Sequence, residues 1–315
     1  CPPLPDEFTY RESGRCNDED VSVSERSALG LSDYVVHDER PARRTHYCVD
    51  GSGPVTVLFE AGLGKSRSTW ARTQPLVARF ARTVVYDRAG LGRSDSTAAP
   101  RTFEALLRDH LTVLDTVVTG PCILVGHSYG GPIVRRAAAE RPDKVVGIVL
   151  VDEVNESAGA DLLRRAMAGA GALYGAQVWL ARVGLLGRAL RRTYFRALDG
   201  AAQSEVVAES GRVGAAKAAR SEWQNMIAGI HDLEATGPHV PDLPLTEITS
   251  NRSRTPKQVE KDFIYRSHRA TVDAVTDGRH VSSRSRDHYI QLAEPELVAA
   301  EIERMSKKFL LRFSA

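Results

Sequence analysis

A serine set between two glycines, Gly126-His127-Ser128-Tyr129-Gly130, is the clearest place in this chain where residue type and spacing could do chemistry. The apolar run Ile123-Leu124-Val125 precedes it and a helix-compatible segment from Gly131 follows. A serine at a sharp strand-to-helix turn needs an unusual backbone conformation, and glycines two residues away remove Cβ atoms that would clash there. The turn lifts the hydroxyl off the sheet and aims a helix N-terminus, with its unpaired N–H groups, at the reacting centre. Ser128 is therefore expected to be a nucleophile. A serine hydroxyl is almost un-ionised at neutral pH, so a base must take its proton. Nine histidines compete for that task. His127 adjoins the serine but leaves the turn in another direction and reads as packing, while His110 falls inside a predicted helix and reads as structural. His288 lies in Arg286-Asp287-His288-Tyr289, after the last predicted strand and before a helix opened by Pro295.

The elements that must position these groups follow a regular order. Strand-type runs are expected at 34–37, 45–49, 55–59, 83–86, 123–126, 145–151, 245–249 and 279–283. From Val55 onward they alternate with spaced apolar positions suited to helices at 69–80, 103–118, 131–140, 257–275 and 295–313. Short strands alternating with longer helices make βαβ units, hence an α/β fold with a mostly parallel eight-stranded sheet flanked by helices. The first two strands lack an intervening helix and suit an antiparallel edge. Between 154 and 244 no strand is expected. Helical patterns at 161–183, 185–198, 201–209 and 215–232 read instead as an inserted helical lid over the sheet. The resulting division is an N-terminal extension at 1–30, a core at 31–153 and 245–315, and the lid at 154–244.

With the serine turn placed, the chain resembles the α/β-hydrolase fold family from about Tyr34 to its C-terminus. Phe59-Glu60-Ala61-Gly62-Leu63-Gly64 follows a strand where that family supplies one N–H of an oxyanion hole, and Tyr86-Asp87-Arg88-Ala89-Gly90-Leu91-Gly92-Arg93-Ser94 resembles the family's structural Asp-Arg turn. The resemblance implies backbone donors at Leu63 and Tyr129 and makes His288 the general base. Most relatives carry the orienting acid just after the strand that follows the insertion. Here that strand runs into Thr249-Ser250-Asn251-Arg252-Ser253, with no carboxylate before Glu260 in the next predicted helix. The other family position is the end of the preceding strand, where Asp152 follows 145–151 directly, at the carboxyl edge where sheet ligands gather. Asp152 is the expected acid, holding the imidazole tautomer and stabilising the imidazolium, with Glu153 next in line. An acid in this place is similar to the arrangement in zearalenone-type lactonases.

Other readings fall away on spacing or composition. Gly64-Lys65-Ser66 would be a phosphate loop only with glycine at position 59, which is Phe. With 42 basic and 40 acidic residues, formal charge +2, there is no electrostatic case for nucleic acid or an anionic membrane. Hydrophobic residues make up 42% of the chain, yet no apolar run approaches the ~20 residues of a membrane span. Cys48 and Cys122 read as small buried hydrophobes, whereas Cys1 and Cys16 lie in a polar leader that allows a disulfide without requiring one. No signal-type segment is legible, and both a cytoplasmic and an exported setting are compatible.

The expected activity is hydrolysis of a carboxylic ester or lactone through an acyl-enzyme, with no metal and no organic cofactor. Aromatic and sulfur side chains of the lid, Trp179, Tyr194, Trp223 and Met226, are expected to line an apolar cavity. That favours a medium-sized apolar small-molecule substrate, for which a macrolactone such as zearalenone is a candidate. Carbon–carbon or amide hydrolysis on the same triad, or a small-molecule receptor with residual hydrolysis, are the alternatives. The apolar lid is also compatible with a homo-oligomer.

Overall fold

Runs of β-branched and aliphatic residues between turn signals form nine strands in one sheet. The computed structural model of the protein describes residues 25–156, 169–198, 200–236, 240–251 and 258–313. The strands are β1 (Glu25–Ser27), β2 (Gly30–His37), β3 (Arg43–Asp50), β4 (Thr56–Glu60), β5 (Arg82–Tyr86), β6 (Cys122–His127), β7 (Val145–Val151), β8 (Leu245–Thr249) and β9 (Gly278–Ser282). Eight correspond to the expected strands; β1 is a three-residue addition that pairs with β2 at the edge and lies within the segment read as an extension. The order is β1-β2-β3-β5-β4-β6-β7-β8-β9. The pairs β1–β2, β2–β3 and β3–β5 are antiparallel and all others parallel, as the missing crossover helices require.

Alternation along the central strands divides the core into two layers. Leu58, Leu124, Ile148 and Leu150 face the helices Phe103–Val117 and Gly130–Glu140. Val57, Phe59, Ile123, Val125, Val149 and Val151 face Trp70 and the C-terminal helix Pro295–Phe313 through Val298, Ile302 and Met305. Both faces are buried, so the strands read as unbroken apolar runs. Cys48 and Cys122 are buried free thiols within these layers, while Cys1 and Cys16 lie outside the described residues.

Between β7 and β8 the described residues contain only helices: Ala170–Arg182, Leu186–Leu190, a 3₁₀ turn Tyr194–Ala197, Gly200–Ser210 and Val213–Thr236. The helix expected at 69–80 is instead two pieces, a 3₁₀ turn Arg67–Trp70 and a short helix Gln74–Val77. Pro75 explains the break, because proline has no N–H to donate and fits only the first turn of a helix. The stretch 185–198 also divides. Thr193 bonds back to the Leu190 carbonyl through both its amide (2.9 Å) and its hydroxyl (2.6 Å) and ends that turn. No helix among the described residues is long and apolar enough to cross a membrane.

Chain order reverses direction across β4: the next strand, β5, lies on one side of it and β6 on the other. Loops leaving the carboxyl ends of strands at such a switch point enclose a crevice. The two loops here are 61–66 and the turn at Ser128.

Candidate active site

Ser128 and Asp152 occupy equivalent places on neighbouring strands. In the β6–β7 ladder His127 pairs with Val151, so each residue is the first beyond the sheet. Both have left-handed backbone, φ 54° for Ser128 and φ 46° for Asp152, and among the described residues they are the two non-glycine positions with positive φ. Such conformations cost on the order of 1–3 kcal/mol and persist where surrounding structure holds them, commonly at functional sites. The two turns are tied together. The Ser128 amide donates to the Val151 carbonyl (3.1 Å), the Val154 amide donates to the Ser128 carbonyl (3.0 Å), and the Asp152 amide donates to Ile248 on β8 (2.8 Å).

The glycines of the serine turn are there for space. A Cβ at Gly126 would stand 2.7 Å from the Gly130 carbonyl oxygen and 2.7 Å from Val134, and one at Gly130 would stand 2.7 and 2.9 Å from the Glu60 and Ala61 carbonyls. The helix after Ser128 thus packs directly on the end of β4. The same closeness holds for the 61–66 loop, where a Cβ on Gly62 would lie 3.1 Å from the Ser128 Cβ. Leu63 and Tyr129 therefore flank the serine. Neither backbone amide donates to any acceptor among the described residues.

His288 comes from the loop between β9 and the helix Ile290–Ala293. Its Nδ1–H donates to Asp152 Oδ2 at 2.7 Å; because a carboxylate only accepts, this bond places the ring proton on Nδ1. Asp152 is held in turn by Ser250, whose amide donates to Oδ1 (2.9 Å) and whose hydroxyl reaches both carboxylate oxygens at 2.9 Å. Ser250 stands one residue beyond β8, and it serves Asp152 across the sheet. Its role had no signal in the sequence beyond that position.

Other imidazole–carboxylate pairs exist; apart from the chain neighbours His231 and Asp232, 3.9 Å apart and exposed on the helix Val213–Thr236, exposure separates them. His46–Asp87 (3.0 Å), His110–Glu60 (2.8 Å) and His268–Glu247 (3.3 Å) are sealed, with side chains at most 1% exposed, whereas the His288 side chain is 36% exposed. Only the last of these can meet a substrate. His110, expected to be structural, pairs with a buried carboxylate. Burial alone would raise the Glu60 carboxyl, but Arg88 and His110 outweigh it and the net shift is downward. Glu153, the second choice for the acid, turns away to Arg135 (3.0 Å) and Asn155 (3.1 Å). Glu260 lies in the helix Gln258–Asp273, and its side chain is outside the described residues.

His127 backs the His288 ring. Its Nε2–H donates to the His288 carbonyl (3.0 Å), and its ring packs 4.7 Å from that of His288 and 5.2 Å from Tyr289. Burial, with His288 adding to it, pushes its pKa well below the ordinary imidazole value, so the ring is neutral and its buried Nδ1 carries a lone pair. Lys65, in the 61–66 loop, is driven down to about 8 by burial, against the opposing pull of Glu222. The Asp-Arg turn is tied down by buried hydrogen bonds. Asp87 accepts from the Arg67 amide (3.0 Å), the Arg67 guanidinium, His46 (3.0 Å) and the Arg93 amide (3.0 Å).

The expected lid residues divide. Met226 is buried in the layer that holds Tyr129 and Leu63, and Trp223 packs against that layer and against Tyr174, 6.0 Å away. Trp179 is 60% exposed and the structure does not bring it to the site. The Tyr194 side chain lies outside the described residues. Tyr174 and Tyr289 belong to the surroundings of the serine instead; both phenols are pushed up, chiefly by burial. Among the described residues no cluster of three or more His, Cys, Asp or Glu side chains could hold a metal ion.

Known proteins give a consistent setting for this geometry. The profile of the alpha/beta hydrolase family matches residues 57–301. An "AB hydrolase superfamily protein" of Gibberella zeae is 26% identical over 81% of this chain and 86% of its own length. Shorter matches to other curated proteins are local, and the chain spans 41% of the length of those relatives. Among solved structures, an epoxide hydrolase of Vigna radiata superposes with a TM-score of 0.69 at 18% identity, covering 88% of this chain and 98% of that one. An enol-lactonase from Burkholderia xenovorans superposes with a TM-score of 0.62 at 19% identity, covering 87% and 100%.

Proposed function

From the chain's membership of the alpha/beta hydrolase family, which makes it a hydrolase, we propose the finer reading that it cleaves carboxylic esters or lactones through an acyl-enzyme on Ser128. The observation that carries this reading is the pairing of His288 with Asp152 at 2.7 Å, on a turn that shares its strained backbone with Ser128 next to it.

In the proposed cycle Ser128 Oγ attacks the carbonyl carbon and its proton passes to His288 Nε2, the nitrogen not committed to Asp152. Asp152 keeps the imidazole in the Nδ1–H tautomer and stabilises the imidazolium. The Leu63 and Tyr129 amides receive the oxyanion, in a site where preorganised donors are worth far more than in water. The departing alkoxide takes the proton from Nε2. Water, deprotonated by His288, then attacks the acyl-enzyme, and collapse of the second tetrahedral intermediate returns the proton to Ser128 and frees the acid.

The surroundings favour a medium-sized, largely apolar acyl or alkyl group, because Trp223, Tyr174 and Met226 come from the lid to the layer beside Tyr129. A macrolactone such as zearalenone is one candidate of that class. The superposition on an enol-lactonase is compatible with lactone substrates, although at 19% identity it speaks to fold alone. Turnover on matched esters, lactones and amides of equal carbon count, with Ser128→Ala alongside, tests the proposal. Esters or lactones are expected to exceed the matched amides by at least 100-fold, with the variant inactive. Preferential amide turnover would overturn the substrate class, and full activity in Ser128→Ala would overturn the mechanism.

A further inference from the structure

The lid reaches the 61–64 loop through one buried carboxylate. Glu222 lies on the lid helix Val213–Thr236 and is fully buried. Its Oε2 accepts the Gly64 amide at 2.6 Å and Arg88 Nη2 at 2.8 Å, and its Oε1 accepts Arg88 Nε at 2.9 Å. Arg88 reaches back to the same loop, donating to the Ala61 carbonyl (2.7 Å), the Gly62 carbonyl (2.7 Å) and the Glu60 carboxylate. Small residues bring the helix this close: a Cβ on Gly64 would stand 2.7 Å from that of Ala219, one turn before Glu222 on the same helix face.

These bonds grip both peptides around Leu63. The Gly62–Leu63 peptide is planar and trans, so its C=O and N–H point in opposite directions. With the Gly62 carbonyl turned to Arg88, the Leu63 N–H must point away from the Arg88–Glu222 pair. On the far side the Leu63–Gly64 peptide is pinned by its own N–H on Glu222. We infer that Glu222 is a positioning residue through which the seated lid aims the Leu63 amide at the oxyanion. The inference rests on the reading of Leu63 as an oxyanion donor. If the lid lifts, the Gly64 amide loses its acceptor and Arg88 keeps only Glu60 as a counter-ion, so the Leu63–Gly64 peptide is released while Arg88 and the Lys65 amide still hold the Gly62 carbonyl.

Glu222→Gln tests this. A glutamine cannot accept Arg88 Nε, Arg88 Nη2 and the Gly64 amide together, because one of its two terminal atoms is a donor. Removing an oxyanion donor outright lowers kcat about 10²–10³-fold, so misaiming one is expected to lower it by about 10- to 100-fold. KM is expected to stay within about 3-fold. Affinity for a trifluoromethyl ketone of the best substrate, which forms a tetrahedral adduct with the serine, is expected to fall by the same factor as kcat. Glu209→Gln is the control, because Glu209 ties the lid to Arg67 (2.9 and 3.0 Å) and Arg93 (3.0 Å) instead; its kcat is expected within about 3-fold of wild type. Loss through KM alone, unchanged ketone affinity, or equal loss in the control would overturn the inference. If Glu222→Gln does not accumulate as folded protein, Arg88→Lys carries the same measurements, since lysine cannot span Glu222 and two carbonyls. A wild-type enzyme that forms no ketone adduct would instead sink the parent reading of Ser128.

Discussion

Replacing Asp152 by asparagine separates an orienting acid from a merely structural one. Asparagine tolerates left-handed backbone better than most residues, so the φ of 46° at this position does not prevent folding. The Ser250 amide donates to Oδ1 at 2.9 Å and accepts nothing, so it selects the carbonyl oxygen of the new side chain for that site. The NH₂ group then takes the Oδ2 position, 2.7 Å from His288 Nδ1. Two donors cannot face each other, and the imidazole must move its proton to Nε2. That nitrogen then holds a hydrogen where a lone pair is needed to deprotonate Ser128. A wrong tautomer of this kind costs on the order of 10⁴ in kcat, or about 5.4 kcal/mol at about 1.36 kcal/mol per decade. KM should hardly move, because Asp152 sits behind the base rather than against the substrate. Steady-state kinetics on the best ester, with a thermal melt within a few degrees of wild type, would check it. A kcat within 10-fold of wild type would show that Asp152 does not set the imidazole tautomer. A large loss in Glu260→Gln instead would move the acid to the segment after β8.

Gly130→Ala should cost about 1–3 kcal/mol, because its Cβ would meet the Glu60 and Ala61 carbonyls at 2.7 and 2.9 Å. Since those carbonyls lead into the 61–66 loop beside Ser128, kcat should fall with stability; a stable, fully active variant in urea melts and kinetics would contradict the packing argument. His127 supplies a pH dependence. Its folded pKa lies below the unfolded value of about 6.5, so the unfolded chain binds more protons between the two, and stability rises with pH across that window. Stability from the neutral ring is present above pH 6.5 and lost at up to about 1.4 kcal/mol per unit below it. Urea melts at pH 7.5 and 5.5 should show wild type losing more stability than His127→Gln, and parallel losses would show that this ring does not set the acid limb.

What was legible in the sequence was what short spacing encodes. Gly126, Ser128 and Gly130 fall in one turn whose steric demands act over four residues, and unbroken apolar runs mark strands buried on both faces. Asp152 was legible because no carboxylate follows β8 before the next helix. Ser250 and Glu222 were not, since their bonds join residues 98 and 158 positions apart and neither type nor spacing announces them. Apolar spacing at 69–80 favours a single helix, and Pro75 divides it. Trp179 was misplaced for a different reason. Its helix Ala170–Arg182 is apolar on most sides, so composition did not say which face turns inward.

A covalent acyl-enzyme requires that Ser128 be the reactive nucleophile. Intact-protein mass spectrometry after a fluorophosphonate ester probe, with peptide mapping, tests it most directly. A single stoichiometric adduct is expected on the peptide carrying Ser128, absent from Ser128→Ala and slowed on the order of 10³-fold or more in His288→Ala. Labelling at another residue, or equal labelling of Ser128→Ala, would contradict it.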